Sequence, residues 1–300
     1  MKRPPNATIL RELEHAHANH LLTSLGACAG CPDLSTYAEL VPLPVGKVIY
    51  ESGAAMRYVY FPTSAIVSML YIMNDGTSDE IATVGSEGFI GVQLFLGCET
   101  IPSRALVRSA GHAFRLDANL LQKEFSQSPA IQHLLLRYMQ SLLAQISQTA
   151  ACNRHHSIHQ RLCRWILASL DRLPSSELQT THETIGEMLN VRRESITQEL
   201  GELKTAGLIL CQRGRITVVN RPKLEARACE CYGAIKREFN RLFAGFSAPV
   251  RNDLEQLWQS SATGSGSQVR FGVPSYAPAP VAYAHKDEEF SVHRQPAVPA

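Results

Sequence analysis

The segment THETIGEMLNVRRESITQELGELKTAGLI (residues 181–209) decides how this chain folds. Its apolar residues recur at helical spacing in two short runs, which predicts one helix over about 182–189 and a second over about 192–206. Asn190 stands between them and tolerates the left-handed backbone conformation of a tight turn. Gly186 has no side chain at the point where the second helix must cross close to the first. Two short helices joined in this way are typical of a helix-turn-helix.

The second predicted helix opens with Arg192 and Arg193, where the helix dipole is already positive. Extra cations there are unfavourable in isolation. They become favourable beside phosphates or a guanine edge, because arginine presents a bidentate fork. Glu194 can accept a hydrogen bond from cytosine, Gln198 can address adenine, and Thr197 shares their face. The pattern predicts a recognition helix for the major groove, and the alternative is an ordinary solvated helix face.

A hairpin follows the second helix. The run AGLILCQRGRITVVNRP (residues 206–222) predicts a strand, a turn at Arg213-Gly214 and a second strand, which together form a two-stranded wing. We expect Arg213 and Arg215 at its tip to contact phosphates, which fixes register without reading sequence.

The rest of the chain divides by pattern. Short β-rich runs separated by turn signals, such as Asp75-Gly76, predict an antiparallel sandwich or barrel. A long apolar helix should start at Pro129. The predicted domains are an N-terminal helical segment (1–40, with a helix over 9–25), the barrel (41–125), a dimerisation helix (126–153), the winged helix-turn-helix (154–221), a C-terminal helix packed on the winged domain (222–246) and a mostly disordered tail (247–300).

Two series at seven-residue spacing run along the long helix. They are Leu135, Leu142 and Thr149, and Ile131, Tyr138 and Gln145. Such a repeat predicts a seam that pairs two chains into a homodimer. The alternative is a core helix packed on its own barrel.

Composition bounds the function classes. The 300 residues are 45% hydrophobic and 19% charged, enough for two modest domains and a tail. No apolar run approaches the roughly 18 residues of a membrane span, and the N-terminus lacks a signal-peptide core, so we expect a cytoplasmic protein without a membrane partner. Residues 41–125 carry 6 basic and 8 acidic side chains, whereas residues 154–241 carry 15 and 10. This basic C-terminal part is a mild indication of polyanion binding.

Taken in order, these segments resemble a Crp/Fnr-type transcription regulator from about Pro42 to Asn220. The resemblance is carried by TIGEMLNVRRESITQELGELKTAGLI (184–209), GSEGFIGVQLFLG (85–97) and PSRALVRSAG (102–111). It implies an α+β fold with a cyclic-nucleotide-binding-like sensor domain, which is an antiparallel, jelly-roll-like β-barrel, followed by a long dimerisation helix and a C-terminal winged helix-turn-helix. A double-stranded DNA operator and a second copy of the chain are the implied partners, with RNA polymerase as a further candidate.

In that family an arginine, a glutamate and the residue four positions after the glutamate contact bases. Carried over to this sequence, these are Arg193, Glu194 and Gln198. The family often has arginine at the last position, so Gln198 implies a different operator preference.

The effector motif departs from the family pattern. Cyclic-AMP-binding members have Gly-Glu-Leu followed by Arg-Ser-Ala, in which the glutamate takes the ribose hydroxyl and the arginine pairs with the phosphate. Here Gly91-Val92-Gln93 lacks the glutamate, and Ser103-Arg104-Ala105 exchanges arginine and serine. A one-residue shift in a strand sends the arginine to the opposite face, although a loop could absorb it. We therefore expect an effector other than cyclic AMP, or none, at Gly91, Gln93, Ser103 and Arg104, and no required cofactor.

Cysteines and histidines offer a redox or metal input as an alternative. Oxygen-sensing members of the family hold an iron–sulfur cluster close to the position that Cys28 and Cys31 occupy in this sequence. Four thiolates are normally required, and Cys98 would supply only a third. Further along, Cys152, His155 and His159 are weak metal candidates, since the two histidines are spaced i, i+4. Cys229 and Cys231 stand on a later predicted helix.

Three function classes follow: a dimeric sequence-specific regulator, a cupin-like enzyme, and a regulator switched by cysteine or metal chemistry. The enzyme is disfavoured because no histidine falls in residues 41–111, where a cupin metal site would need several.

Overall fold

The computed structural model describes residues 19–28, 32–97, 100, 102–173 and 175–243. The predicted tail (247–300) and the predicted helical residues 9–18 lie outside this part of the chain. The elements of the sensor portion are α1 (His20–Gly26), β1 (Glu39–Leu43), β2 (Val48–Tyr50), β3 (Tyr58–Pro62), β4 (Ile66–Ile72), β5 (Ser78–Val84), β6 (Arg104–Ser109), β7 (Gly111–Asp117), α2 (Ala118–Gln127) and α3 (Pro129–His155), with short 3₁₀ turns at Leu34–Tyr37 and Val92–Leu96.

The seven sensor strands form two antiparallel sheets, in the orders β1-β7-β3 and β2-β6-β4-β5. Residues alternate between the two faces, so Ala105 and Val107 of β6 are buried while Arg104 points outward. The predicted hairpin joins β4 and β5, where Gly76 takes a φ of +85° and the Asp75 carboxylate accepts a hydrogen bond from the Thr77 amide at 2.9 Å. The predicted α+β fold with a jelly-roll-like antiparallel sensor domain is confirmed.

The sensor core lies between the two sheets and the helices α1, α2 and α3. Phe61 and Phe89 stack with ring centroids 5.3 Å apart, and Tyr138 of α3 lies 5.1 Å from Phe89 by the same measure. The Tyr138 hydroxyl donates to the Phe89 carbonyl at 3.1 Å, so its one polar group is satisfied inside the core. These contacts fix the long helix against the two sheets.

The long helix α3 begins where the sequence predicts, with Pro129 in its first turn and the Ser128 hydroxyl accepting from the Ile131 amide at 3.3 Å. The predicted seam, however, faces the chain's own core. Its apolar members Ile131, Leu135, Tyr138 and Leu142 are all buried in the sensor core, which is the alternative that the sequence left open. The reason is that a seven-residue repeat fixes which residues share a face, not which neighbour covers it.

Another stripe of α3 remains exposed. At coiled-coil spacing of three and four residues, it consists of Leu136, Gln140, Leu143, Ser147 and Ala150. Its two leucines keep 46% and 55% of their surface in solvent. This stripe, rather than the predicted seam, is the face on which a partner helix could pack.

The C-terminal portion contains α4 (Ile158–Asp171), β8 (Glu177–Gln179), α5 (His182–Leu189), α6 (Arg193–Thr205), β9 (Ile209–Gln212), β10 (Arg215–Val218), α7 (Arg221–Glu225) and α8 (Glu230–Phe243). Its second apolar core includes Ile185 of α5, Leu200 of α6 and Ile216 of the wing. The wing is a three-stranded sheet in the order β8-β10-β9, so the predicted two-stranded ribbon gains one strand.

The predicted single helix over 222–246 is two helices, α7 and α8, within the described residues. Leu224 and Tyr232 pack with the C-terminal core, as expected. The far end of α8 instead packs in the sensor core, through Phe239, Leu242 and Phe243. The break near Ala228 lets the two segments serve different cores, which one straight helix could not do.

Candidate nucleic-acid interface

The turn between α5 and α6 has the geometry that the sequence predicts. Asn190 lies in the left-handed region at φ 48° and ψ 55°. A Cβ on Gly186 would lie 2.8 Å from the Val191 carbonyl oxygen, closer than real Cβ contacts occur. The Thr181 hydroxyl accepts from the Thr184 amide at 3.1 Å and caps α5. The helix-turn-helix is therefore set by local residues.

Helix α6 separates a buried face from an exposed face. Ile196, Leu200 and Leu203 are buried against the C-terminal core. The predicted DNA-binding side chains on this helix are all exposed on the opposite face: Arg193, Glu194, Thr197 and Gln198. Arg192 is the N-cap residue and makes no side-chain capping bond, so α6 begins one residue later than predicted.

Two of these side chains have contacts of their own. Thr197 Oγ1 donates to the Arg193 carbonyl at 3.0 Å and lies 2.9 Å from His182 Nδ1 of α5. Gln198 Nε2 donates to Glu202 Oε1 at a long 3.4 Å. His182 was missed from the sequence, because its approach to Thr197 depends on how the two helices cross. The pair holds Thr197 in place between the helices.

The arginines differ in how their charge is compensated. Arg215 forms an ion pair with Glu177 at 3.0 Å. Arg192, Arg193 and Arg213 are exposed, and none of them takes part in an ion pair within the described residues. These three guanidinium groups leave positive charge at the start of α6 and on the wing.

The wing tip presents Arg213 through a tight two-residue turn. Arg213 has a φ of 37° and Gly214 a φ of 77°, the two positive values that a type I′ hairpin turn requires. A non-glycine residue in this conformation is uncommon. The side chain of Arg213 is thus carried at the outermost point of the hairpin.

The effector candidates do not form a charged pocket within the described part of the chain. Arg104 points away from the sensor core and pairs with Glu51 at 2.6 Å. Gly91 takes a φ of +123°, and a Cβ there would lie 2.7 Å from Val59 Cγ1, so this position suits glycine for steric reasons. Ser103 is buried, and Gln93 Oε1 is buried without a hydrogen-bond partner among the described residues.

The structure groups the candidate metal ligands differently from the sequence prediction. Cys31 and Cys98 lie outside the described residues, and Cys28 Sγ donates to the Ser24 carbonyl at 3.4 Å. His155 and His159 do not share a helix, because α3 ends at His155 and α4 begins at Ile158. This corrects their proposed pairing.

The neighbouring histidine takes part instead. His155 is exposed, whereas His156 lies with Cys152, Cys229 and Cys231 in one cluster. His159 Nδ1 lies 2.7 Å from Glu199 Oε2. The sequence could not show which of His155 and His156 faces the cluster, because this depends on where α3 ends.

Comparisons with known proteins agree with this geometry. Residues 160–227 match the family described as the Crp-like helix-turn-helix domain. Among curated proteins, the chain is similar to the global nitrogen regulator of Synechococcus elongatus, with 23% identity over 184 residues that cover 58% of this chain and 83% of that protein.

Solved structures share the fold. FixK2 from Bradyrhizobium japonicum matches with a TM-score of 0.57 and 16% identity, over 64% of this chain and 98% of that one. A CRP-family transcriptional regulator from Thermus thermophilus matches with a TM-score of 0.54 and 18% identity, over 63% of this chain and 96% of that one. The class predicted from the sequence, a regulator rather than an enzyme, agrees with the helix-turn-helix family match and with the curated relative.

Proposed function

We propose that this Crp/Fnr-type transcription regulator acts as a homodimer that binds specific double-stranded DNA through α6 and the wing. The observation that carries the proposal is the set of exposed arginines around a helix-turn-helix, Arg192, Arg193 and Arg213, which have no ion-pair partner in the described part of the chain. Such cations on a rigid surface attract phosphates and release their counterions. The same surface presents Glu194 and Gln198, which can read base edges.

The residues divide into two roles. Arg193, Glu194 and Gln198 lie on the exposed face of α6 and contact base edges in the major groove. Arg192, Arg213 and Arg215 contact phosphates and set the position of the domain on the duplex. Thr197, which lies 2.9 Å from His182, orients the helix and reaches the groove only at its edge.

The dimer forms through the exposed stripe of α3. Leu136 and Leu143 lie seven residues apart and expose 46% and 55% of their surface. Two copies paired there would present two recognition helices about one DNA turn, roughly 34 Å, apart on a near-palindromic site.

None of the described helices has the length and apolarity to cross a membrane. We propose that the regulator works in the cytoplasm, where RNA polymerase is a candidate partner.

The test compares one arginine of each role. The purified protein first selects its operator from genomic DNA. Arg193→Ala should then weaken operator binding by about 1–3 kcal/mol and reduce discrimination at one base pair. Arg213→Ala should weaken binding to all sequences alike. It should also reduce by about one the slope of the logarithm of the binding constant against the logarithm of the salt concentration. Titrations against operator and scrambled DNA at several salt concentrations separate the two. Equal weakening of both DNAs by Arg193→Ala would show that α6 does not read sequence.

Cyclic AMP is not the effector in this proposal. Val92 stands where the ribose hydroxyl would need an acceptor, and a lost buried hydrogen bond costs about 1–3 kcal/mol. Arg104, the candidate for the phosphate, is paired with Glu51 on the outer face of β6.

A metal- or redox-responsive input is the second candidate. Its support is the cluster of Cys152, His156, Cys229 and Cys231 near the junction of the sensor and DNA-binding portions. That cluster can be tested by itself.

A further inference from the structure

Four side chains from two distant parts of the chain converge at the end of α3. Cys152 Sγ lies 3.5 Å from Cys229 Sγ, and Cys231 Sγ lies 3.4 Å from His156 Nδ1. The four atoms all lie within 4.8 Å of one another. Each of them is a nitrogen or sulfur that binds soft or borderline metal ions.

Their spacing follows from two local elements. Cys152 lies in the last turn of α3, and His156 is the C-cap residue whose amide donates to the Cys152 carbonyl at 3.1 Å, which keeps the two residues close together. Cys229 and Cys231 flank the first residue of α8, Glu230. All three thiols are buried, with at most 4% of any residue exposed, so together they form a small closed cluster.

We propose that Cys152, His156, Cys229 and Cys231 bind one Zn²⁺ ion in a tetrahedral Cys₃His site. Zinc–sulfur bonds of about 2.3 Å and zinc–nitrogen bonds of about 2.0 Å place tetrahedral ligand atoms about 3.5–3.8 Å apart. The distances of 3.5 Å between Cys152 Sγ and Cys229 Sγ and of 3.4 Å between Cys231 Sγ and His156 Nδ1 are close to these values. Ligand atoms this near to each other suit a single ion rather than an iron–sulfur cluster, whose ligands bind different iron atoms.

The surroundings supply an outer partner for the histidine ligand. His156 Nε2 lies 3.1 Å from Glu230 Oε1, which leaves Nδ1 facing Cys231. A carboxylate on the second ring nitrogen orients a metal-binding imidazole and fixes its tautomer. Glu230 therefore gives His156 the second hydrogen bond that orients histidine ligands of zinc.

Nearby arginines offset the negative charge that the site would acquire on binding zinc. Binding converts three thiols and Zn²⁺ into a complex of charge −1 and releases three protons. Arg161 and Arg164 of α4 are largely buried, and Arg164 Nε has no hydrogen-bond partner among the described residues. The guanidinium of Arg164 lies close enough to the Cys152 thiol to interact with it electrostatically. Cations beside the thiols stabilise the anionic complex.

The ion would join α8 to α3 where the DNA-binding portion begins. The cluster would also bring together residues 77 positions apart in the chain. Closing so long a loop with a metal ion stabilises the folded chain.

The test uses the full-length protein purified under reducing conditions. Elemental analysis should find one zinc per chain. Replacement by Co²⁺ should give the strong visible absorption of tetrahedral cobalt and a thiolate-to-cobalt charge-transfer band. His156→Gln should weaken Co²⁺ binding at least about a hundredfold, and Cys229→Ser should abolish the wild-type spectrum. His155→Gln and Cys211→Ser are matched controls outside the cluster and should keep it.

Several results would overturn the site. Metal well below one equivalent, an octahedral cobalt spectrum, or an unchanged spectrum in His156→Gln would each do so. A Cys152–Cys229 disulfide that persists in metal-free protein purified under reducing conditions, detected as two missing thiols, would contradict it as well. If a variant fails to fold, the wild-type charge-transfer intensity still counts the thiolate ligands, and a value for fewer than three would refute the proposal.

Discussion

At the scale of single residues, Gly186 shows how a missing side chain permits a motif. Adding a methyl group would place a carbon 2.8 Å from the Val191 carbonyl oxygen, and this neighbour is backbone that must move as a whole. Overpacking of this kind costs about 1–3 kcal/mol. We expect Gly186→Ala to lower the free energy of unfolding by that amount, measured by urea denaturation.

Gly201 provides the control on the next helix. A Cβ there meets nothing within 4 Å, and the residue is exposed on α6. Because alanine is a better helix former than glycine, Gly201→Ala should stabilise the protein by up to about 1 kcal/mol. Equal effects of the two substitutions would mean that the close crossing at Gly186 is not what requires glycine.

Local residues could be predicted and cross-element contacts could not. Asn190 and Gly186 were identified from the sequence because a tight turn restricts its own residues. The contact between His182 and Thr197, 15 positions apart, follows from the crossing of two helices and leaves no pattern in the sequence. The choice of His156 over His155 also depends on where α3 ends.

At the scale of elements, α3 makes a prediction about assembly. Burying a leucine contributes about 1.5–3 kcal/mol, and 1.4 kcal/mol is a tenfold change in a dissociation constant. Leu136→Glu and Leu143→Glu should each weaken the dimer at least about tenfold without loss of secondary structure, as measured by light scattering and circular dichroism. Leu210→Glu, at an equally exposed leucine of the wing, should leave the dimer intact.

Monomer alone in the wild-type protein, with and without operator DNA, would refute pairing through α3. The sequence predicted where this helix begins, because Pro129 is a local signal for the first turn. It did not predict which face is free, since both faces carry leucines at seven-residue spacing. The division of the last helix into α7 and α8 was hidden for a similar reason, because each half packs on a different core.

At the scale of the whole molecule, Glu80 lies in the cleft between the sensor sheet and the DNA-binding portion, beside Trp165 and Met188. Burial raises the pKa of its carboxyl above the ordinary 4.5, and hydrogen bonds from Ser68 and Thr83 only partly oppose this. The folded state then binds a proton more tightly than the unfolded state. Stability is therefore lost as pH rises from the ordinary pKa through the raised one.

Glu80→Gln should consequently gain stability over the wild type as pH rises, and the difference should vanish below about pH 4.5. Thermal melting across this range measures it. Glu238→Gln should behave in the opposite sense, because a hydrogen bond from Arg241 lowers the pKa of Glu238. The stability that this carboxylate contributes is fully present above the ordinary pKa and is lost as pH falls through the lowered one. A stability gain in the Glu80→Gln variant that does not change with pH would point to packing rather than titration.

The sensor domain makes a second prediction at this scale. A ligand at 100 times its dissociation constant adds about 2.7 kcal/mol, which corresponds to a melting shift of several degrees. Micromolar cyclic AMP should give no saturable shift, because Val92 offers no acceptor and Arg104 is paired with Glu51. Operator DNA serves as the positive control in the same assay. A saturable shift with cyclic AMP would reverse this expectation.

Helix α8 has a consequence for how the DNA-binding portion can move. That portion is joined to the sensor at its beginning, through residues 156 and 157, and again at its end, where Phe239, Leu242 and Phe243 lie in the sensor core. Between these two ends, ion pairs also join the portions: Arg172 with Glu87 at 2.7 Å and Arg108 with Glu187 at 3.1 Å. As long as α8 stays docked, α6 can therefore reorient only if these ion pairs break while the chain remains tethered at both ends.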